Sequence, residues 1–326
     1  MHGADGGRAL RQLSSPKRSK NLREAGRCAH DTRMRIFVTG ASGFVGSAVV
    51  PELLRAGHQV VGLARSDASA AVIAAAGADV QQGDLADLDV LRRSASSADG
   101  VIHLGFIHDF ANFAKSAEAD RAAIQAMAAA LAGSNRPLVV TSGTLGAGAP
   151  GTMGTEDDPG DATRRFSESA LDAAPHSVRT VAVRLSPTVH GDGDHGFVPR
   201  LIQIAREKGI SGYPGEGMNR WSAVHRLDAA ILFRLGIEAA PSGARLHCAA
   251  EEAISSRRIA EAIGTKLGVP VESIPPERVM EHFGWIGAFF SIDKPASSAK
   301  TRKLVGWTPT HVGLIQDLEQ GTYFAR

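Results

Sequence analysis

The hydrophobic positions of residues 34–66 change their spacing twice along the chain. Residues 36–39 form a continuous apolar and β-branched run, which is typical of a buried strand. Residues 45–54 then carry apolar side chains at helical spacing, and residues 59–63 form a second apolar run. The pattern predicts a strand, a helix that ends at Gly57, and a second strand.

The same alternation continues to about residue 190. We predict helices over residues 68–76, 111–133 and 166–174, another around Leu88 and Leu91, and strands over residues 78–82, 100–104, 137–141 and 180–185. Strands that alternate with helices predict an α/β fold of the Rossmann type, a doubly wound parallel sheet with helices on both faces.

Beyond residue 195 the alternation becomes irregular. Helical patterns over residues 197–207, 229–238 and 256–267 accompany a short strand pattern over residues 245–249. We therefore predict three parts: a disordered basic tail (1–33), a dinucleotide-binding domain (34–190), and a mixed α/β substrate-binding lobe intertwined with it (191–326).

Three glycines between the first strand and the first helix indicate a dinucleotide site. We expect Gly40 to allow the tight turn, Gly43 to let the backbone approach a diphosphate, and Gly46 to let the helix pack closely on the strand. Such a turn inside a strand–helix–strand unit brings a helix N-terminus under the diphosphate. A glycine turn without a nucleotide is the alternative interpretation.

The end of the second strand bears on which dinucleotide binds. An NAD site usually has Asp or Glu there, whereas this chain has Arg65 followed by Ser66. An arginine can bind a 2′-phosphate with two hydrogen bonds, and a serine can donate a third. We therefore predict NADP(H) in preference to NAD(H), with Arg65 as an ordinary solvated cation as the alternative.

Other candidate cofactor residues lie at strand ends, where the cofactor is expected to pass. Asp84 can accept from the adenine amino group or, alternatively, start a helix, and Gly105 permits close approach. The predicted cofactor-binding residues are Gly40, Ser42, Gly43, Phe44, Val45, Gly46, Arg65, Ser66, Asp84, Leu85, Leu104 and Gly105.

Composition excludes several classes of partner. The 43% hydrophobic and 21% charged content is that of a globular protein, and no apolar run reaches the ~18 residues of a membrane span. Residues 1–33 contain eight Lys or Arg and three acidic residues, a balance of +5, so the rest of the chain, at about −3 of the total +2, offers no basic face for nucleic acid. Two cysteines without paired spacing favour a cytoplasmic location and no metal site. For the tail, an upstream start before Met34 and an Arg-rich transit peptide both stay open.

A set of motifs resembles the extended short-chain dehydrogenase/reductase superfamily, which holds nucleotide-sugar epimerases and dehydratases. The matching positions are residues 39–46 (TGASGFVG), 83–85 (GDL), 101–105 (VIHLG), Ser142, 184–194 (RLSPTVHGDGD), 221–229 (WSAVHRLDA) and 303–309 (KLVGWTP). The resemblance implies an NAD(P) cofactor and a nicotinamide pocket lined by Pro187 and Val189. Dimerisation through helices that flank the sheet is common in the superfamily, so the resemblance also implies a homodimer.

The chain departs from that group at its catalytic tyrosine and lysine, which lie four residues apart after the serine-bearing strand. Here the only tyrosines are Tyr213 and Tyr323, and no lysine occurs between Lys115 and Lys208. The group's pair manages a proton during hydride transfer. This chain therefore resembles an atypical member that keeps the cofactor motif.

Four residues remain as catalytic candidates. Ser142 matches the group's serine and can hydrogen-bond a substrate carbonyl. Arg164 and Arg165 are the cations in the window of the missing pair; either can hold the nicotinamide ribose, but arginine stays protonated. His190 replaces a tyrosine of the group, and histidine is a residue type that often serves as an acid or a base in catalysis. The alternative is that the arginines form an exposed helix start and the histidine is structural.

Three functions follow as hypotheses. The first is an NADP(H)-dependent oxidoreductase acting on a small carbonyl or hydroxyl substrate. The second is a nucleotide-sugar epimerase or dehydratase, which the missing tyrosine argues against. The third is a non-catalytic NADP(H)-binding protein that senses redox state or docks a partner, as the loss of the catalytic pair would allow.

Overall fold

The strands predicted from continuous apolar runs lie between two layers of helices. The computed structural model describes residues 33–109, 112–160 and 166–325. In these ranges the strands are β1 (Arg35–Thr39), β2 (Gln59–Ala64), β3 (Asp79–Gln82), β4 (Gly100–His103), β5 (Pro137–Gly143), β6 (Arg179–Leu185), β7 (Thr188–His190), β8 (Ser211–Pro214), β9 (Arg220–His225), β10 (Ala244–Cys248), β11 (Glu251–Ser255) and β12 (Val271–Ile274).

The helices of the same ranges are α1 (Gly46–Arg55), α2 (Asp67–Ala75), α3 (Leu88–Ser96), α4 (Phe113–Leu131), α5 (Phe197–Lys208), α6 (Arg226–Ala239), α7 (Ser256–Leu267), α8 (Val279–Phe283), α9 (Gly287–Phe290), α10 (Ala299–Val305) and α11 (Leu314–Gln320). Short 3₁₀ helices occur at Thr144–Gly146, Phe166–His176, Pro276–Arg278, Gly284–Ile286 and Thr322–Phe324. No helix in the described ranges combines the length and the apolar character needed to cross a bilayer.

Seven parallel strands form the central sheet in the order β10-β6-β5-β4-β1-β2-β3. Ile36 and Val38 face a core shared with α1 and α6, whereas Phe37 faces a core shared with α3 and α4. A strand buried on both faces needs apolar residues at every position, which explains the continuous runs. The predicted Rossmann-type class is confirmed.

Most element boundaries agree with the predictions to within three residues. β5 extends beyond the predicted residue 141 because Ser142 and Gly143 pair in register with Arg184 and Leu185 of β6. Ser142 therefore lies inside the strand. Ala111, predicted to begin α4, lies outside the described residues.

The residues after 190 contribute to two layers. β10 forms one edge of the central sheet and α6 packs beside α1, so this part of the chain is interleaved with the first. The remaining residues build a three-stranded sheet (β11-β9-β7), a two-stranded sheet (β12-β8) and a third hydrophobic core. The short strands β7, β8, β9, β11 and β12 were not predicted from the sequence.

Candidate functional site

The turn between β1 and α1 is built so that two of its glycines are required by close packing. Gly40 has φ of +68°, and a Cβ there would lie 2.7 Å from the Gly105 nitrogen. A Cβ on Gly46 would overlap the Gly40 carbonyl oxygen. Gly43 differs, because it is exposed and its Cβ would meet only that oxygen, at 3.2 Å. The exposed side of the turn is thus open for a ligand.

The N-terminus of α1 has the donors that an anion needs. Val45 is the N-cap residue and provides no side-chain cap, and no acidic residue lies in the first turn. Gly43 donates to the Gly40 carbonyl, but within the described residues the amides of Phe44 and Val45 have no hydrogen-bond acceptor. Unsatisfied amides at a helix N-terminus attract phosphate groups. The turn therefore fits a dinucleotide diphosphate.

The predicted adenosine side lies at the ends of β2 and β3, which are paired at Ala64 and Gln82. Arg65 follows β2 directly and is exposed. The Ser66 hydroxyl accepts the Ser69 amide hydrogen at 3.3 Å, so Ser66 also caps α2. The structure thus brings Arg65 and Ser66 to the edge of the sheet that carries the glycine turn.

Asp84 and Leu85 follow β3 at the same edge. Asp84 is exposed and accepts from the Ala86 amide at 3.0 Å, while Asp87 is the residue that caps α3. The alternative helix-start role for Asp84 is therefore taken by Asp87. Leu85 packs against Gly105, where an added Cβ would lie 3.0 Å from the leucine side chain.

Ser142 marks the other end of the site, at the C-terminal end of β5. Its side chain is 9% exposed, and within the described residues its hydroxyl has no hydrogen-bond partner. Pro187 and Val189, which follow the neighbouring strand β6, are partly exposed. Leu104 and Val189 both pack against the core beneath α1 and α6. A free hydroxyl at a strand end is available to a substrate oxygen.

The window of the missing catalytic pair is only partly described: Arg164 and Arg165 lie outside the described residues. Glu168, just after them, makes two hydrogen bonds with Arg184, at 2.6 and 2.9 Å, and one with Arg245 at 3.0 Å. Burial raises the pKa of Glu168, but the two arginines outweigh this and hold it below its usual value. Glu168 therefore stays ionised and forms a structural ion cluster.

His247 completes this cluster. Its Nε2 accepts from Arg184 at 3.2 Å, and its Nδ1 donates to the Ser297 carbonyl at 2.8 Å. Burial lowers the pKa of His247, and the Arg184 charge acts in the same direction. The ring is therefore neutral near pH 7. Arg184 is fully buried, and each of its three nitrogens donates a hydrogen bond to Glu168 or His247.

His190 ends β7 and pairs in register with His225 of β9. It is fully buried, its Nδ1 lies 2.7 Å from Asp317, and its ring meets His225 edge-on at 5.3 Å between centroids. His225 caps α6 by accepting the Leu227 amide hydrogen at 3.3 Å. Within the described residues the buried Nε2 of His190 has no hydrogen-bond partner. The catalytic role of His190 stays a prediction, whereas His225 has a capping role.

A buried relay beneath the turn was missed by the sequence reasoning. The Thr39 hydroxyl lies 2.7 Å from His103 Nδ1 and accepts the Gly105 amide hydrogen at 3.1 Å. His103 Nε2 lies 3.0 Å from Asp120, which accepts from Ser167 at 2.6 Å. Thr39 and His103 are the last residues of neighbouring strands and pair in register. Two polar residues at the ends of predicted strands were the sequence signal that could have indicated this contact. The relay fixes Gly105 against the glycine turn.

Arg226 was also missed. Its guanidinium lies 5.1 Å from the centre of the Phe44 ring, donates to the Asp192 carbonyl at 2.6 Å, and reaches the Ser47 hydroxyl at 3.3 Å. Within the described residues it has no carboxylate partner. A half-buried cation beside an uncapped helix N-terminus increases the attraction for an anion.

The sequence of the chain is similar to a known family and to known proteins. A model of the NAD dependent epimerase/dehydratase family matches residues 36–248. An uncharacterized protein of Schizosaccharomyces pombe is 46% identical over 295 residues, covering 89% of this chain and 100% of its own. A 2-alkyl-3-oxoalkanoate reductase of Stenotrophomonas maltophilia is 31% identical over 226 residues, covering 65% of this chain and 67% of its own.

The fold also agrees with solved structures. A dTDP-glucose 4,6-dehydratase from Streptomyces venezuelae, solved with NAD and TYD bound, has a TM-score of 0.72 at 18% identity. The similarity covers 90% of this chain and 97% of that one, and at this identity it speaks for the fold alone.

Proposed function

The chain belongs to the NAD dependent epimerase/dehydratase family, and from that premise we propose that it is an NADP(H)-dependent oxidoreductase acting on a small carbonyl or hydroxyl substrate. One observation carries the proposal: the uncapped, acid-free start of α1 and the exposed Arg65 lie at the same edge of the sheet. The first suits a diphosphate and the second a 2′-phosphate.

The cofactor, when bound, donates or accepts a hydride at its nicotinamide ring. The chain's own part is to position the two reactants. Gly43 and the free amides after it hold the diphosphate, and Pro187 and Val189 line the nicotinamide pocket. Ser142 donates a hydrogen bond to the substrate oxygen, which turns the carbonyl carbon toward the ring.

Carbonyl reduction also needs a proton at oxygen. Among the described residues of the window after β5, Ser167 is bonded to Asp120 and Glu168 to two arginines. Neither is free to deliver a proton, so the proton comes from water through Ser142. An unassisted hydroxyl is a weak acid, and turnover is expected to be slow.

The bonds that hold Ser167 and Glu168 favour a second function, NADP(H) binding without turnover. A site in which these two groups cannot deliver a proton can still hold a cofactor and use it as a signal of redox state. The two functions differ in one measurable respect, which is consumption of NADPH in the presence of a substrate.

The test begins with binding of NADPH and NADH, followed by cofactor fluorescence. We expect the wild type to bind NADPH at least about tenfold more tightly than NADH. Arg65→Gln should remove this preference by weakening the binding of NADPH while leaving that of NADH unchanged. Arg92→Gln, which alters an exposed arginine on α3 paired with Asp89, is the matched control. A preference for NADH in the wild type would contradict the cofactor assignment.

Turnover is then measured as NADPH oxidation with aldehydes, ketones and enones. We expect turnover of at least one class, and a loss of about tenfold or more in kcat for Ser142→Ala. Tight NADPH binding with no turnover in any class would favour the sensor. Unchanged turnover in Ser142→Ala would remove that hydroxyl from the mechanism.

A further inference from the structure

Three aromatic side chains form a partly exposed wall in the C-terminal part of the chain. Phe197, the first residue of α5, lies 5.9 Å from Trp285 and 5.7 Å from Phe289, measured between ring centroids. Trp285 and Phe289 lie 6.1 Å apart. Trp285 is 47% exposed, although a tryptophan usually buries most of its surface. We call these three residues the aromatic wall.

A buried tryptophan supports the wall from behind. Trp221 is 2% exposed and packs on Phe197 at 5.3 Å and on Phe290 at 5.2 Å. Two of the chain's three tryptophans therefore meet in one cluster, although aromatic residues make up only 5% of the sequence. Single exposed apolar residues are common on protein surfaces, but a packed group of aromatic residues with an exposed face is typical of a binding surface.

Contacts on one side connect the wall to the glycine turn. His195 lies two residues before Phe197, and its ring meets Phe44 edge-on at 5.7 Å. Phe44 belongs to the turn that fits the diphosphate. The start of α5 therefore lies next to the cofactor site.

Contacts on the other side connect it to the end of β5. Trp221 forms a β-bridge with Lys294, whose ammonium donates to the Gly148 carbonyl at 2.6 Å. The neighbouring Ser222 hydroxyl lies 3.3 Å from that of Thr144, two residues after Ser142. The strand that carries Trp221 thus lies against the segment that follows β5.

The two cations of this support, Arg220 and Lys294, already have hydrogen-bond partners. Arg220 is held by Asp293 through hydrogen bonds of 3.0 and 2.8 Å. Lys294 is 9% exposed and donates to backbone carbonyls. Neither can bind a second diphosphate, such as that of a nucleotide sugar, without breaking these bonds.

We propose that the aromatic wall is the substrate subsite and that it takes a flat, apolar carbonyl compound whose carbonyl is conjugated with an aromatic ring. The ring stacks on Trp285 and Phe197 while the carbonyl oxygen meets Ser142. This inference rests on the proposed reductase function, and it excludes a nucleotide sugar as the preferred substrate. Aromatic stacking contributes beyond the burial of apolar area, so ring-bearing substrates are favoured over aliphatic ones.

The test compares cinnamaldehyde with hexenal, an aliphatic enal, as substrates for NADPH oxidation. We expect kcat/KM to be about tenfold higher for cinnamaldehyde. Trp285→Ala should remove this preference by raising KM for cinnamaldehyde alone, and Trp285→Phe should largely restore it. Met280→Ala, which removes a 56% exposed side chain from nearby α8, is the matched control.

The outcomes separate the two proposals. Turnover of both enals without a preference, or an equal loss of activity with both in Trp285→Ala, would overturn the proposed substrate subsite and leave the proposed reductase function standing. If no carbonyl is reduced, the reductase fails, and the wall is judged by calorimetric binding of cinnamamide to the NADP⁺-saturated protein. Binding that is lost in Trp285→Ala supports the wall, whereas no binding, or binding unaffected by the substitution, overturns it. Tighter binding of UDP-glucose than of cinnamamide would also overturn it.

Discussion

Replacing two glycines of the turn by alanine, one at a time, separates the groups that bind the cofactor from those that hold the fold. At Gly46 an added methyl group would overlap the Gly40 carbonyl oxygen and stand 2.8 Å from that of Ala41. Carbon–oxygen contacts normally begin near ~3.3 Å, so the helix must move away from the turn. At Gly43 the nearest atom is 3.2 Å away, and a shift of a few tenths of an ångström suffices.

These distances lead to opposite expectations. Gly46→Ala should lower the free energy of unfolding by about 3 kcal/mol, because both obstacles are backbone atoms of a buried turn. Gly43→Ala should cost less than about 1 kcal/mol, since Gly43 is exposed and needs no unusual φ. Its methyl group would, however, stand where the diphosphate approaches the amides. NADPH binding should therefore weaken about 10- to 100-fold.

Urea denaturation followed by circular dichroism gives the stabilities, and cofactor fluorescence gives the affinities. Ala48→Gly, two residues into α1, is a control for a general loss of helix stability, at about 1 kcal/mol. The reasoning is refuted if Gly43→Ala binds NADPH as the wild type does. It is equally refuted if Gly46→Ala unfolds at the wild-type urea concentration.

Three further substitutions test the surroundings of the turn and of β5. Arg226→Gln should weaken the binding of NADPH up to about fivefold. In competition titrations the binding of adenosine 2′-monophosphate, which lacks the diphosphate, should be unaffected; equal losses for both ligands would contradict a role of Arg226 at the diphosphate. The pKa of His225 is lowered, mainly by burial and further by two neighbouring histidines. The stability that its neutral ring provides is therefore present above pH ~6.5 and lost as the pH falls. His225→Asn keeps a capping acceptor without titrating and should flatten the fall of the unfolding free energy from about pH 6.5 to 5; an unchanged slope would refute this. Glu168→Gln leaves Arg184 buried without its counter-charge and should cost about 3 kcal/mol in urea denaturation, whereas Glu261→Gln, in an exposed pair, should cost under about 1 kcal/mol.

The central sheet could be predicted from the sequence because each of its inner strands is buried on both faces. That burial demands a continuous apolar run, as in residues 36–38, and such a run is visible without knowledge of the partner strand. The strands β7, β8 and β12 span only three or four residues, and the pairing of β9 with β7 and β11 depends on tertiary contacts. A local pattern has no access to those contacts, so these elements were missed.

The site divides in the same way. The glycine turn is one contiguous segment, and its spacing inside a strand–helix–strand unit predicts a diphosphate site. Arg226 contacts Ser47, which lies 179 positions earlier in the sequence, and His103 contacts Asp120 on the next helix. Only the fold brings such pairs together, so a search for motifs finds the turn but not its surroundings.

The surroundings of Ser142 limit the chemistry more than the missing tyrosine does. Near neutral pH the lowered pKa of Glu168 keeps it ionised, and the lowered pKa of His247 keeps it neutral. Neither therefore exchanges a proton at the pH where the reaction would run. A reductase with a hydroxyl and water as its only proton source needs a carbonyl that accepts hydride readily. Aldehydes accept hydride more readily than ketones, so an aromatic aldehyde such as cinnamaldehyde meets both this requirement and that of the aromatic wall.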